Sequence, residues 1–116
     1  MRKSFDTFCP LGPWILTADE MPDPANIELE LRVNGELRQK ANTRNLIVDI
    51  PEMINMASST MTLYPGDIIA TGTPSGVGPI AAGDKLVSSV AGVGELVLDV
   101  VQGDHGHHAI WDKPAT

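Results

Sequence analysis

The chain has 116 residues, with 8 Lys and Arg against 15 Asp and Glu, a formal net charge of −7. An acidic chain without a basic stripe has no electrostatic footprint for a phosphate backbone or an anionic lipid surface, so neither nucleic acid nor membrane partners are expected. No apolar run approaches the roughly 18 residues that span a bilayer, and a single cysteine, Cys9, excludes an internal disulfide and makes a reducing cytoplasm the default setting.

Hydrophobic residues make up 42% of the chain but aromatics only 4%, so a core must rest on Ile, Val and Leu. The 11 Gly and 9 Pro point to many tight turns. A single domain of this size buries only about 65% of its unfolded surface, a thin margin that leaves room for packing against something more.

In chain order, residues 8–14 form an apolar segment able to anchor an N-terminal arm, and Cys9 within it is read as packed rather than nucleophilic. Ile27-Glu28-Leu29-Glu30-Leu31-Arg32-Val33 alternates apolar and charged, the pattern of a strand with one wet face. Asn34-Gly35 is a hairpin turn, and Glu36-Leu37-Arg38-Gln39 is the return strand. A helix follows, with Asp49 as N-cap, Pro51 in the first turn and Glu52 at capping-box spacing; Ile50, Met53, Ile54 and Ala57 form one apolar stripe for a core. Residues 67–71 are expected to form a buried strand entered through the Pro65-Gly66 turn. Lys85 to Val90, the turn at residues 92–94 and Glu95 to Val101 predict a second hairpin. The hydrophobic pattern ends after Val101. The expected fold is mostly β with one short helix.

Four groups of residues could carry chemistry. The stretch Thr71-Gly72-Thr73-Pro74-Ser75-Gly76-Val77-Gly78 combines hydroxyls with glycines that admit a ligand to the backbone. It is either an ordinary turn with threonine caps or a place where backbone N–H groups converge on a carboxylate or phosphate. It is not a P-loop, because no Gly-Lys-Ser/Thr ending is present. Glu28 and Glu30, at i and i+2 on a strand, share a face as a metal-carboxylate pair would, and equally as the polar face of an exposed hairpin would. Asp104, His105, His107 and His108 form a metal-capable tract on a polar tail, where such residues also bind transition ions adventitiously. Lys3 and Asp6, taken alone, belong to a solvated N-terminal segment.

Three segments, in order, change that picture. Residues 3–14 (Lys3-Ser4-Phe5-Asp6-Thr7-Phe8-Cys9-Pro10-Leu11-Gly12-Pro13-Trp14), then Val33-Asn34-Gly35-Glu36, then residues 65–78 from Pro65-Gly66-Asp67 to Gly76-Val77-Gly78 resemble the fumarylacetoacetate hydrolase family, with the acylpyruvase and hydroxyhepta-dienedioate isomerase/decarboxylase branch as the nearest likeness. The resemblance implies residues 1–102 as the C-terminal part of such a domain and residues 103–116 as a His-containing polar tail. It implies a mixed β-roll/sandwich, incomplete on its N-terminal side. It also implies enolate chemistry on 2-oxo acids such as acylpyruvates (C–C hydrolysis, decarboxylation or tautomer shift), with Mg²⁺ or Mn²⁺ as cofactor and commonly a homodimer.

By the same resemblance Lys3 matches the site lysine that neutralises enolate or carboxylate charge. Thr73, with the adjacent backbone at Gly72, matches the group that grips the substrate carboxylate or carbonyl, and Thr7 matches a position near the metal in some members. The family's metal carboxylates (a Glu-x-Glu pair and a later Asp) and its His/Glu lid dyad lie upstream of the segment that starts here at Lys3. Glu28 and Glu30 fall in a different family segment and do not replace them. The chain is therefore expected to be a short protein, one half of a split protein completed by a partner, or an incomplete piece. Three functions follow: an enzyme half contributing Lys3 and Thr73 to a metal-dependent site, an inactive β module serving folding or oligomerisation, and a metal-sequestering protein acting through its histidine tract.

Overall fold

The computed structural model describes residues 6–21 and 23–103. Its centre is a four-stranded antiparallel sheet in the order β2-β1-β3-β4. Alternating side chains make β1, Glu28–Val33, and the Asn34-Gly35 turn reverses it into β2, Glu36–Asn42. Asn34 (φ 52) and Gly35 (φ 84) both lie in the left-handed region, as a two-residue hairpin matched to strand twist requires. The register slips between Leu31 and Arg32: Leu31 faces Gln39 and Arg32 faces Leu37, which leaves Arg38 as the extra, bulged residue on β2.

The second expected hairpin is present as β3, Lys85–Val90, and β4, Gly94–Asp99, joined by a turn in which the Val93 N–H donates to the Val90 carbonyl at 3.0 Å. One sheet face is apolar: Leu29, Leu31 and Val33 of β1 oppose Val90, Ser88 and Leu86 of β3, and Leu86 and Ser88 in turn oppose Leu98 and Leu96 of β4. Val33, 6% exposed, is the one buried hydrophobic side chain among the described residues. The other face is charged. Lys40 Nζ sits 2.8 Å from Glu30 Oε1, opposite it in register, and Lys85 Nζ sits 3.3 Å from its opposite residue, Asp99.

Beyond β2 the chain makes a short 3₁₀ turn, Thr43–Asn45, and then the expected helix α1, Ile50–Thr60. The Asp49 side chain caps it by accepting from the Glu52 N–H at 2.8 Å, with Pro51 in the first turn. The apolar stripe is only half covered: Ile50, Met53 and Ala57 are half-buried and Ile54 is 46% exposed.

The expected buried strand over residues 67–71 is not formed. Its turn is: Pro65 and Gly66 (φ 97) complete a type II turn closed by the Asp67 N–H to the Tyr64 carbonyl at 3.0 Å. The segment that leaves it is irregular and exposed, with Ile68 at 63% and Ile69 at 38%. An apolar run becomes a strand only where another edge supplies hydrogen bonds, and here none of the four strands pairs with it.

The N-terminal arm is tied down at Trp14, whose indole Nε1 donates to the Val93 carbonyl at 2.7 Å across the β3–β4 turn. The ring lies over Gly94, where an added Cβ would stand 2.7 Å from Trp14 Cζ2. Among the described residues no helix is long and apolar enough to cross a membrane.

Candidate functional site

The glycine-rich stretch at residues 71–78 folds back over the outer strand of the sheet. Gly72 (φ 101) and Gly76 (φ 98) adopt backbone conformations that side chains disfavour. At Gly76 there is no space either, since a Cβ would fall 1.9 Å from the Arg38 carbonyl oxygen, at the bulge of β2. The next residue of β2 completes the attachment: Gln39 Nε2 shares its two protons among Thr73 Oγ1 at 3.0 Å, the Pro74 carbonyl at 3.0 Å and, more weakly, the Ser75 carbonyl at 3.4 Å.

This docking creates a cavity of about 530 Å³ beside the apolar face. Leu29, Ala41, Leu46 and Met53 supply its greasy wall, and Thr71, Gly72 and Thr73 bring hydroxyls and backbone to its rim. An apolar recess with a few convergent polar groups is the usual form of a small-molecule site.

Of the residues singled out from sequence, Thr73 and Gly72 therefore sit together at this cavity. Thr7 does not join them: it lies in an exposed turn of the arm with φ 68, a strained conformation for a β-branched residue. Cys9 is exposed and free, so the expectation that it packs into a core does not hold; its short arm segment rests on the sheet through Trp14 instead. Lys3 and the Asp104, His105, His107 and His108 tract lie outside the described residues.

Glu28 and Glu30 occupy the charged face of the hairpin. Glu30 receives hydrogen bonds from Lys40 and, at 3.1 Å, from Arg32 Nη2, and these hold its carboxyl below the ordinary range while raising the Lys40 ammonium. A carboxylate already held by two cations is a poor metal ligand. Among the described residues no group of three or more His, Cys, Asp or Glu side chains could hold a metal ion. The donor set described here does not fit a divalent cation.

Gln39 is the site residue that sequence reading passed over. A simple alternation along β2 places Leu37 and Gln39 on one face. The bulge at Arg38 separates them, turning Leu37 to the face of Arg32 and Gln39 to the face of Leu31.

A strand-bound loop with a hydroxyl at an apolar cavity is a candidate small-molecule site, and comparison with known proteins gives the chain's lineage. Residues 1–101 match the family model described as fumarylacetoacetate (FAA) hydrolase C-terminal, and the chain belongs to that family. It is 44% identical over 99 residues to the maleylpyruvate hydrolase of Aquipseudomonas alcaligenes, covering 85% of this chain and 34% of that protein. It is 48% identical over 99 residues to the 4-hydroxyphenylacetate degradation bifunctional isomerase/decarboxylase of Salmonella dublin, covering 85% of this chain and 23% of that protein. Its fold superimposes on maleylpyruvate hydrolase from Sphingobium sp. SYK-6, solved with manganese (II) ion and pyruvate, with a TM-score of 0.87 and 61% identity, covering 89% of this chain and 39% of the other. The chain thus spans well under half the length of these relatives.

Proposed function

We propose that this chain provides the substrate-gripping part of a fumarylacetoacetate-hydrolase-type site acting on 2-oxo acids such as acylpyruvates through an enolate. The observation that carries this is the placement of Thr73 and Gly72 at the rim of an apolar cavity. The Thr73 hydroxyl binds a carboxylate or carbonyl oxygen of the substrate, and Gly72 lets that oxygen approach the backbone. Lys3 neutralises the negative charge that develops on the enolate. The cavity wall accommodates the apolar part of the acid. The relative solved with manganese and pyruvate supports both the ligand class and a divalent cation, Mg²⁺ or Mn²⁺, in the completed site. The described residues do not fit that cation, and its ligands are assigned to the complementary part of the domain, outside the described residues. The assembly is a homodimer or is completed by a partner that supplies the N-terminal half, in a cytoplasmic setting.

Calorimetric titration of the full chain with oxalate, without added metal, tests the grip by itself, because the ligands of the cation are assigned outside the described residues. Saturable oxalate binding that is lost in Thr73→Ala and in Lys3→Ala is expected. In the completed enzyme both variants lower turnover of an acylpyruvate by about 10²-fold with thermal midpoints little changed. Normal turnover in Thr73→Ala sinks the assignment. A second function is favoured by the exposed apolar side chains Ile47, Ile68 and Val77: an inactive β module that serves folding or oligomerisation. That module binds no oxalate under any metal condition.

A further inference from the structure

We propose that Gln39 is a positioning residue that fixes Thr73 as a hydrogen-bond donor toward the substrate anion, a role that rests on the assignment of Thr73 as the substrate-gripping group. The chemistry of the partners sets the direction of every bond. The Pro74 and Ser75 carbonyls can only accept, so the end of the Gln39 amide that faces them, at 3.0 and 3.4 Å, is its NH₂ group. The same NH₂ stands 3.0 Å from Thr73 Oγ1, which must therefore accept. A hydroxyl that accepts keeps its proton to give, and among the described residues Thr73 Oγ1 has no other partner to take it. The free proton is matched to an oxygen lone pair, the chemistry of a carboxylate or enolate. Accepting from an amide also polarises the O–H bond and strengthens its donation.

The placement is rigid because two adjacent residues of β2 hold the loop. Gly76 rests on the Arg38 carbonyl, where no Cβ fits, and Gln39 bonds three successive residues, Thr73, Pro74 and Ser75. The bulge at Arg38 is what turns Gln39 toward the loop. The position of the Thr73 hydroxyl is thus set by the register of the β1–β2 hairpin.

Side-chain rotamer couplings of Thr73, measured by NMR on the full chain, read the positioning without any ligand. Oxalate titration without added metal reads its consequence. The variants are Gln39→Met, which keeps the volume and removes the donor, Gln39→Ala, Thr73→Val, Thr73→Ser and the double variant Gln39→Met/Thr73→Val. The expected result is one Thr73 rotamer in the parent chain and averaging in Gln39→Met, with the amide resonances of β3 and β4 unmoved. Oxalate affinity falls about tenfold in Gln39→Met and in Thr73→Val, the loss of one hydrogen bond to a charged group. The double variant is no weaker than Thr73→Val, and Thr73→Ser restores binding. A fixed Thr73 rotamer in both Gln39 variants overturns the proposal, as does additivity in the double variant. If the parent chain binds no oxalate, the substrate-gripping assignment fails, and the rotamer measurement alone still decides whether Gln39 positions Thr73.

Discussion

Gly72 and Gly76 look alike in the sequence, four residues apart in one glycine-rich stretch, and have similar backbone angles, φ 101 and φ 98. Their surroundings differ. A Cβ at Gly72 would meet nothing within 4 Å, whereas one at Gly76 would collide with the Arg38 carbonyl. Gly72→Ala is therefore expected to cost only the strain of a left-handed alanine, about 1–2 kcal/mol. Gly76→Ala adds a steric conflict with backbone that cannot move without tearing β2 from β1, so its cost exceeds 2 kcal/mol, at the upper end for a single strained residue. Urea unfolding of the two variants checks the order, and equal losses would show that the loop does not rest on β2. The glycines were legible in the sequence as permissive positions. Which of them a neighbour also requires was not, because the neighbour lies 38 positions earlier in the chain at a bulge that no alternation pattern reports.

Among the elements, those with local instructions were legible. Asn34-Gly35 forms the expected turn, Asp49 caps the expected helix, and both hairpins stand within three residues of their expected ends. The segment 67–71 was misread because its Ile-Ile pair reports a demand for cover, not the presence of a partner edge. The two hairpins are joined by more than the β1–β3 ladder. Asn34 Nδ2 donates to Asp84 Oδ1 at 2.8 Å, its Oδ1 accepts from the Lys85 N–H at 2.9 Å, and Asp84 Oδ2 accepts from the Ala81 N–H at 2.7 Å. The Ala81 N–H first, and then the Asn34 amide, hold the Asp84 carboxyl below its ordinary range. A carboxyl depressed in the folded state adds stability that is fully present above its unfolded pKa and is lost as pH falls through the folded one. Glu30, lowered by Lys40 and Arg32, acts in the same direction. The chain is thus expected to hold its stability from neutral pH down to about 4 and to lose it below. Asp84→Asn removes part of that acid limb, so its urea midpoint, lower at pH 7, converges on the parent's at pH 3. Parallel curves would show that Asp84 does not sense folding.

At the scale of the whole molecule, the apolar surface exceeds what the fold covers. Val33 is the one buried hydrophobic side chain among the described residues, while Ile47 is fully exposed at 103% and Val77 stands at 75%, with Tyr64, Ile68 and Ile80 also open on the stretch between β2 and β3. A domain is stabilised chiefly by the apolar area it removes from water, at about 25 cal/mol per Å², and side chains left in water contribute nothing to that term. The relatives that share this fold are more than twice as long, which gives such a surface something to meet. In solution at high concentration the surface is expected to meet another copy of the chain, so the stability of the pair depends on mass action. The urea midpoint should rise with protein concentration, and sedimentation velocity should show the matching shift toward a dimer. Ile47→Asp combined with Ile68→Asp places two charges on that surface, one of them on the wall of the Thr73 cavity, and replaces no residue of the sheet or of the Gln39–Thr73 attachment. It should abolish the concentration dependence and leave the midpoint at low concentration unchanged. A midpoint independent of concentration in the parent chain would mean that two copies do not cover this surface. A midpoint that the double variant lowers even at high dilution would mean that Ile47 and Ile68 stabilise the single chain itself, in contradiction to their exposure.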